Sequence, residues 1–305
     1  MNKTKINNNI IKTLNEGNLI KVKKLIKKIK KIPLNKNDRK IKVGIIRTFS
    51  IEAQVDYIKL AFRLISFQAE IKVLNIDNIE QEILDLDSDL FKWKPDIILI
   101  FWRLEELIPI MKSYKINLTL QKYKTITNNL KKRISKIISM YDKITNVPLI
   151  ISTMPLLYEN DLYDMNNKIS IRKLYEEINL YIFSLINKYF KISIFDFNLF
   201  FSSIGKSAYD RKMDFYVRQP ISHTSMGYFS IQIVRSVKPF FLPPSKAIAL
   251  DADNVLWGGI VGEDGIDNLK IGEDFPGNVY LAIQEFVLKL KKRGFLLFLL
   301  SKNNK

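Results

Sequence analysis

The sequence has no cysteine and a single histidine, His223. Without cysteine there can be no disulfide, thiolate nucleophile or cysteine-based zinc site, and the composition favours a reducing, cytoplasmic location. Any Ser–His catalysis or histidine metal site would depend on His223 alone. Because His223 directly precedes Thr224 and Ser225, we interpret it as the start of a helix and not as a catalytic base.

Long apolar runs are also missing. No stretch reaches the roughly 18–20 apolar residues that a membrane span needs. The N-terminus carries lysines but no apolar segment followed by a small-residue cleavage site. The sequence therefore predicts neither a transmembrane segment nor a signal peptide.

Acidic residues are scarce: 31 Asp and Glu stand against 49 Lys and Arg, a formal net charge of +18. Much of the excess lies in residues 1–40, which we predict to be a basic, amphipathic helical segment. Apolar residues recur there at helical spacing from Val22 to Ile32, with lysines between them and a break near Gly17–Asn18. Such a helix can bind a membrane surface or an acidic partner, or can pack on the next domain with its lysines in solvent. The second interpretation is favoured.

Short apolar segments then alternate with longer helical ones over residues 41–242. This pattern predicts an α/β domain with a doubly wound parallel sheet. The predicted strands are Lys42–Ile46, Glu70–Leu74, Asp96–Phe101, Val147–Ser152 and Ile192–Phe195. Ligands of such sheets bind at the carboxyl ends of the strands. Polar or aromatic residues there are Arg47, Thr48, Ser50, Trp102, Arg103, Thr153 and Asp196.

A second unit is predicted over residues 243–305, after the proline-containing segment FLPPSK. Its first strand runs into Asp251 and Asp253. A Gly-rich stretch then predicts a β-hairpin flap, followed by a helix over 276–293 and the apolar strand FLLFLL.

Asp251 and Asp253 are the residues with the clearest chemistry. Two carboxylates at the end of a strand can divide a phosphoryl transfer between a nucleophile and an acid–base. Because both would repel a phosphate, the pair implies a bridging Mg²⁺. Ser301, after the next strand, can donate a hydroxyl to the phosphate. D-x-D alone is also typical of a cap or turn; the run DADNVLWGG followed by SKNN is more specific.

These two motifs resemble motifs I and II of the haloacid-dehalogenase (HAD) superfamily, in the variant of FkbH-like proteins. Residues 42–52, 82–100 and 194–222 resemble the SGNH-hydrolase-like N-terminal domain of that family. The resemblance implies an SGNH/flavodoxin-like sheet followed by a Rossmann-like HAD domain. It also implies that Trp257, Gly258 and Gly259 open the flap beside the substrate.

The resemblance implies an activity as well. FkbH-like proteins move a glyceryl unit from 1,3-bisphosphoglycerate, a phosphorylated three-carbon substrate, to the phosphopantetheine arm of an acyl carrier protein in polyketide biosynthesis. Asp251 matches the nucleophile and metal ligand, Asp253 the acid–base and second ligand, and Ser301 the phosphate-binding hydroxyl. Motifs III and IV are missing from the sequence, so we expect the HAD domain to be incomplete. The alternatives are an inactive carrier-binding module and a generic HAD phosphatase fragment. We expect no nucleic-acid partner, since no RNA- or DNA-binding motif accompanies the charge.

Overall fold

The structure is a computed structural model, and it describes residues 3–30, 39–76, 78–108, 119–157 and 170–300. The chain divides into two compact units, Met1–Phe241 and Leu242–Lys305.

A five-stranded parallel sheet forms the centre of the first unit, in the order β2-β1-β3-β4-β5. The strands are β1 (Arg39–Arg47), β2 (Phe67–Val73), β3 (Ile97–Phe101), β4 (Leu149–Ser152) and β5 (Ile192–Phe195). All five residues of β3 are buried, as expected for a central strand with both faces covered. The predicted α/β class and the doubly wound parallel sheet are confirmed.

Helices cover both faces of this sheet. The helices described in the first unit are α1 (Lys3–Asn15), α2 (Leu19–Lys30), α3 (Val55–Phe62), α4 (Ile79–Leu84), α5 (Asp89–Lys92), α6 (Leu104–Leu107), α7 (Leu120–Ile144), α8 (Ile171–Ile186), α9 (Phe197–Ile204), α10 (Arg211–Val217) and α11 (Met226–Phe241). In the part of the chain that the structure describes, no helix combines the length and apolarity needed to cross a bilayer.

The two layers of core follow from the alternation of side chains along each strand. Ile98 and Ile100 of β3 belong to a buried cluster with residues of α4, α7 and α8. On the opposite face, the Phe101 ring packs against Phe195 and Phe229, with centroids 5.4 and 5.3 Å away. Phe229 belongs to α11, so this helix covers the second face.

Helices α1 and α2 pack on α3, and α1 also packs on α11. Val22, Leu25 and Ile29 of α2 are buried while the lysines between them are exposed. Gly227 of α11 permits the close approach of α1, since a Cβ at this position would lie only 2.0 Å from the Leu14 carbonyl oxygen. The predicted helix break is present, because α1 ends at Asn15 and α2 begins at Leu19. The apolar face of α2 packs on α3.

The second unit contains a two-stranded parallel sheet of β6 (Ala247–Leu250) and β7 (Leu296–Leu299). Two helices lie between them in the chain, α12 (Val261–Asp264) and α13 (Gly277–Lys292). Apolar side chains of β7 and its end remain exposed: Leu296 at 61%, Phe298 at 53%, Leu299 at 60% and Leu300 at 63%. The described part of this unit thus leaves its sheet largely uncovered.

Two local predictions need correction. Strand β2 begins at Phe67 and not at Glu70, because Ser66 in the left-handed conformation ends the preceding turn earlier. The predicted β-hairpin flap contains one antiparallel bridge, Gly258 to Lys270, around α12 and a 3₁₀ turn.

Candidate active site

Asp251 follows β6 directly, and Asp253 lies two residues further on. The Asp251 side chain is exposed, and its Oδ1 accepts a hydrogen bond of 2.8 Å from the backbone N–H of Ala252. Ala252 itself is buried, so it anchors the segment between the two carboxylates. Asp251 is therefore held at the surface, where a ligand can reach it.

The Asp253 carboxylate is half-buried and has more partners. Its Oδ1 accepts from the indole N–H of Trp257 at 3.1 Å and from the backbone N–H of Val261 at 3.3 Å. Two donors from different parts of the following loop fix the orientation of this side chain. Trp257, predicted from its place in the motif, thus contacts an acid of the pair.

A tight turn connects the acids to the loop. Asn254 has a φ of 56°, and its side-chain oxygen accepts from the backbone N–H of Gly259 at 3.0 Å. Gly258 exchanges backbone hydrogen bonds of 3.1 and 2.8 Å with Lys270. A Cβ on Gly258 would lie 2.8 Å from the Tyr280 ring, which explains the need for glycine at this position.

Helix α13 contributes a hydrogen bond to the same turn. The Gln284 side-chain amide donates to the carbonyl oxygen of Leu256 at 2.6 Å. The loop is closed on the other side by Asp264, whose Oδ2 accepts from the N–H of Ile260 at 2.8 Å. The loop that holds Asp253 is therefore bonded at several points.

The donor set suits Mg²⁺, a hard cation that prefers oxygen and retains waters and substrate oxygens beside one or two carboxylates. Asp251 offers an exposed carboxylate and Asp253 a fixed one. Among the described residues, no cluster of three or more His, Cys, Asp or Glu side chains is placed to bind a metal. Ser301, the predicted phosphate-binding residue, lies outside the described residues.

The polar residues at the strand ends of the first unit mostly serve internal hydrogen bonds. Thr48 Oγ1 accepts from the Arg103 backbone N–H at 3.0 Å. Thr153 Oγ1 bonds to Asp196, which also caps α9, and the Trp102 indole donates to the Ser152 carbonyl oxygen at 2.7 Å. These side chains were expected to contact a ligand, but the hydrogen bonds that they form stabilise the loops at the strand ends.

A buried ionic cluster was missed by the sequence analysis. The Arg103 guanidinium, which follows β3, donates from Nη1 to both carboxylate oxygens of Asp214, at 2.8 and 2.9 Å. It also pairs with Glu106 at 3.0 Å and lies 3.5 Å from Glu105, while the Tyr175 hydroxyl donates to Glu105 at 2.5 Å. The run Arg103–Glu105–Glu106 directly after a buried strand is the signal that could have indicated it.

Burial and charge act in opposite directions in this cluster. Burial disfavours the charged form of Arg103, but the carboxylates of Glu105 and Asp214 outweigh it, so the pKa of Arg103 is raised. Burial raises the pKa of Glu105 although Arg103 and Tyr175 stabilise its anion. Arg103 follows β3, and its backbone N–H donates to Thr48, which follows β1. The order of the sheet reverses between these two strands, where ligands of doubly wound sheets commonly bind.

His223 begins a 3₁₀ turn that leads into α11. Ser50 Oγ bonds to the Val217 carbonyl oxygen at 2.5 Å, and no hydrogen bond joins Ser50 to His223 within the described ranges. The expectation that His223 starts a helix is met.

No family model matches the sequence, and no curated protein matches it either. Among solved structures, the fold is similar to that of the N-terminal part of the protein BF1531 from Bacteroides fragilis, which contains a phosphatase domain and is complexed with Mg. The TM-score is 0.75 at 19% identity, over 96% of this chain and 74% of that one. At this identity the likeness establishes a shared fold.

Two further solved structures align at a TM-score of 0.41. One is a salicylyl-acyltransferase from a tetracycline biosynthetic pathway, 11% identical over 70% of this chain and 57% of that one. The other is an acetyl xylan esterase, 12% identical over 65% of this chain and 100% of that one. A TM-score of 0.41 does not establish a shared fold.

Proposed function

We propose that this chain is an FkbH-like, Mg²⁺-dependent phosphatase and glyceryl transferase. The observation that carries the proposal is the pair Asp251 and Asp253 directly after a parallel strand, one carboxylate exposed and the other fixed by Trp257 and Val261. The fold shared with a Mg-complexed phosphatase-domain protein supports it. The substrate is proposed to be 1,3-bisphosphoglycerate and the acceptor an acyl carrier protein.

The proposed phosphoryl step uses the two acids in turn. A carboxylate oxygen of Asp251 attacks phosphorus, so that an Asp251–phosphorus bond forms while the bond to the glyceryl oxygen breaks. Asp253 gives its proton to that oxygen. Water then attacks the aspartyl-phosphate and returns a proton to Asp253, which releases inorganic phosphate and frees Asp251.

Asp251 and Asp253 would hold the Mg²⁺, with Ser301 proposed to contact the phosphate. When bound, the ion offsets the negative charge of the phosphate as it approaches the two acids. The glyceryl unit is transferred separately: the carrier thiol sulfur bonds to the acyl carbon of the substrate as the acyl-phosphate C–O bond breaks, and the second phosphate leaves with the thiol proton.

Mass spectrometry of the carrier protein tests the proposal. The full chain is incubated with Mg²⁺, 1,3-bisphosphoglycerate and holo acyl carrier protein, and we expect phosphate release together with a glyceryl adduct on the carrier. Asp251→Asn should abolish the phosphate release that is measured without carrier protein, because the second phosphate leaves only when the carrier thiol attacks. Phosphate release with an unmodified carrier would contradict the proposed transferase activity and would indicate a general phosphatase.

A second candidate is a carrier-binding module without catalysis. It is favoured by the open two-stranded sheet, with Leu296 and Phe298 exposed, and by the lack of a third metal-binding acid among the described residues. Under this alternative the carrier would bind but neither phosphate nor adduct would form.

A further inference from the structure

Helix α10 exposes three consecutive large side chains: Phe215 at 58%, Tyr216 at 72% and Val217 at 48%. Single exposed apolar residues are normal on protein surfaces, whereas contiguous ones mark interaction sites. With Arg211 and Lys212 of the same helix, also exposed, they form a surface that we call the α10 patch.

Hydrogen bonds fix both ends of helix α10, which carries the α10 patch. The Asp210 side chain caps the start of α10 by accepting from the Met213 N–H at 3.0 Å. At the other end, the Ser50 N–H donates to the Arg218 carbonyl oxygen at 2.7 Å. A surface that is already ordered loses less conformational entropy when it binds a partner.

The inner side of α10 is fixed by the buried ionic cluster. Asp214 is buried and receives both the bidentate contact from Arg103 and a hydrogen bond of 2.9 Å from the Tyr209 hydroxyl. Asp214 is the only acid of α10, and its charge is neutralised inside the protein by Arg103. The outer side therefore presents positive charge and aromatic surface.

The cations of the patch lie over its rings. The Arg211 guanidinium is 5.9 Å from the Phe215 ring centroid, and the Lys212 ammonium is 5.9 Å from that of Tyr216. Arg and aromatic residues are enriched at the energetically dominant positions of protein interfaces. The patch combines these residue types with a positive field that attracts an acidic partner.

We propose that the α10 patch is the docking surface for the acidic acyl carrier protein of the proposed function, on which the identity of this partner rests. A protein partner is favoured over a nucleic acid because no RNA- or DNA-binding motif accompanies the positive charge of the chain. A bilayer is disfavoured because a seven-residue helix offers too little continuous apolar surface for insertion.

Fluorescence anisotropy with labelled holo acyl carrier protein tests the proposal on the full chain. We expect Phe215→Ala with Tyr216→Ala to raise the Kd about tenfold or more, in the range of interface hot spots. Arg211→Glu with Lys212→Glu should raise it by a similar factor. Circular dichroism of each variant verifies the fold.

Matched variants separate docking from general attraction to a basic protein. Lys27→Glu with Lys28→Glu makes the same change in net charge on the exposed face of α2, and Leu180→Ala with Phe190→Ala removes exposed apolar surface elsewhere. Both controls should leave the Kd within about twofold. Equal losses in patch and control variants, or no measurable binding by the wild type, would overturn the proposal.

A single-stranded oligonucleotide with the same label serves as a competing probe. Tighter binding of this probe than of the carrier, lost in the Phe215/Tyr216 variant, would assign the patch to nucleic acid instead. Phosphate release from 1,3-bisphosphoglycerate without carrier depends on Asp251 and not on the patch. The failure of docking is therefore distinguishable from the failure of the proposed chemistry.

Discussion

Asp251 and Asp253 share a motif but occupy different surroundings. Asp253 is oriented by the Trp257 indole and the Val261 N–H, whereas Asp251 accepts only from the adjacent Ala252 within the described part of the chain. A group that must be aligned with a leaving oxygen benefits from fixed partners. A nucleophile needs accessible lone pairs, and the exposed Asp251 retains them.

Glu105 is the residue whose protonation should affect stability most clearly. Burial raises its pKa, so the folded state binds this proton more tightly than the unfolded state does. Stability from this proton is fully present below the usual glutamate pKa and is lost as pH rises through the raised value.

We therefore predict that Glu105→Gln gains stability relative to the wild type as pH rises. Near pH 4 the two proteins should have similar free energies of unfolding, and above the raised pKa the variant should be the more stable. Urea unfolding across a pH series measures this difference. The exposed Glu176→Gln is the control, and a Glu105→Gln difference that stayed constant with pH would contradict the account.

At the scale of elements, α1 packs closely on α11 at Gly227. Gly227→Ala would place a methyl group 2.0 Å from the Leu14 carbonyl oxygen, and backbone atoms cannot yield as a flexible side chain can. We predict a loss of about 1–3 kcal/mol in the free energy of unfolding, as for other overpacked sites.

Hydrogen exchange should locate that loss in α1, with α1 amides exchanging faster in Gly227→Ala while those of β3 remain protected. Gly262→Ala, where an added Cβ meets no atom within 4 Å, is the matched control and should change stability by less than about 0.5 kcal/mol. Unchanged protection of α1 in Gly227→Ala would refute the packing role of Gly227.

The elements most readily predicted from sequence were those whose pattern is local. The continuous apolar run of β3 and the helical spacing of Val22, Leu25 and Ile29 each fix one element without knowledge of distant residues. The flap was predicted as a hairpin because its Gly and Asp residues favour turns, but short helical turns form there instead. The Asp264 carboxylate accepts from the Ile260 N–H, and the Asn268 side-chain amide donates to the Asp264 carbonyl oxygen.

The ionic cluster shows why part of the molecule could not be predicted. Arg103 and Asp214 are 111 residues apart in sequence, and nothing in either local pattern indicates the partner. The two meet because the segment after β1 contacts both: Thr48 accepts from the Arg103 N–H, and the Ser50 N–H donates to the Arg218 carbonyl oxygen directly after α10. The candidate site could be proposed from sequence because Asp251, Asp253 and Trp257 are close together in one motif.

At the scale of the whole molecule, the exposed apolar strand β7 favours self-association. Leu296, Phe298 and Leu300 are more than half exposed, and an uncovered parallel strand can pair with another chain. We predict that the chain self-associates with rising concentration and that Phe298→Lys reduces this association. A charge on such a strand disfavours pairing.

Light scattering over a concentration series measures that association. Phe190→Lys adds the same charge at a fully exposed turn of the first unit and should leave self-association unchanged. Equal behaviour of the two variants would show that β7 is not the surface involved.

The central proposal is that Asp251 attacks phosphorus in a Mg²⁺-dependent step. Peptide mass spectrometry after acid quench tests it most directly, with the full chain incubated with Mg²⁺ and 1,3-bisphosphoglycerate. We predict a phosphate adduct on the peptide containing Asp251, absent in Asp251→Asn and after chelation of the metal, and longer-lived in Asp253→Asn. An adduct that persists in Asp251→Asn, or no adduct on that peptide in either the wild type or Asp253→Asn, would contradict the claim.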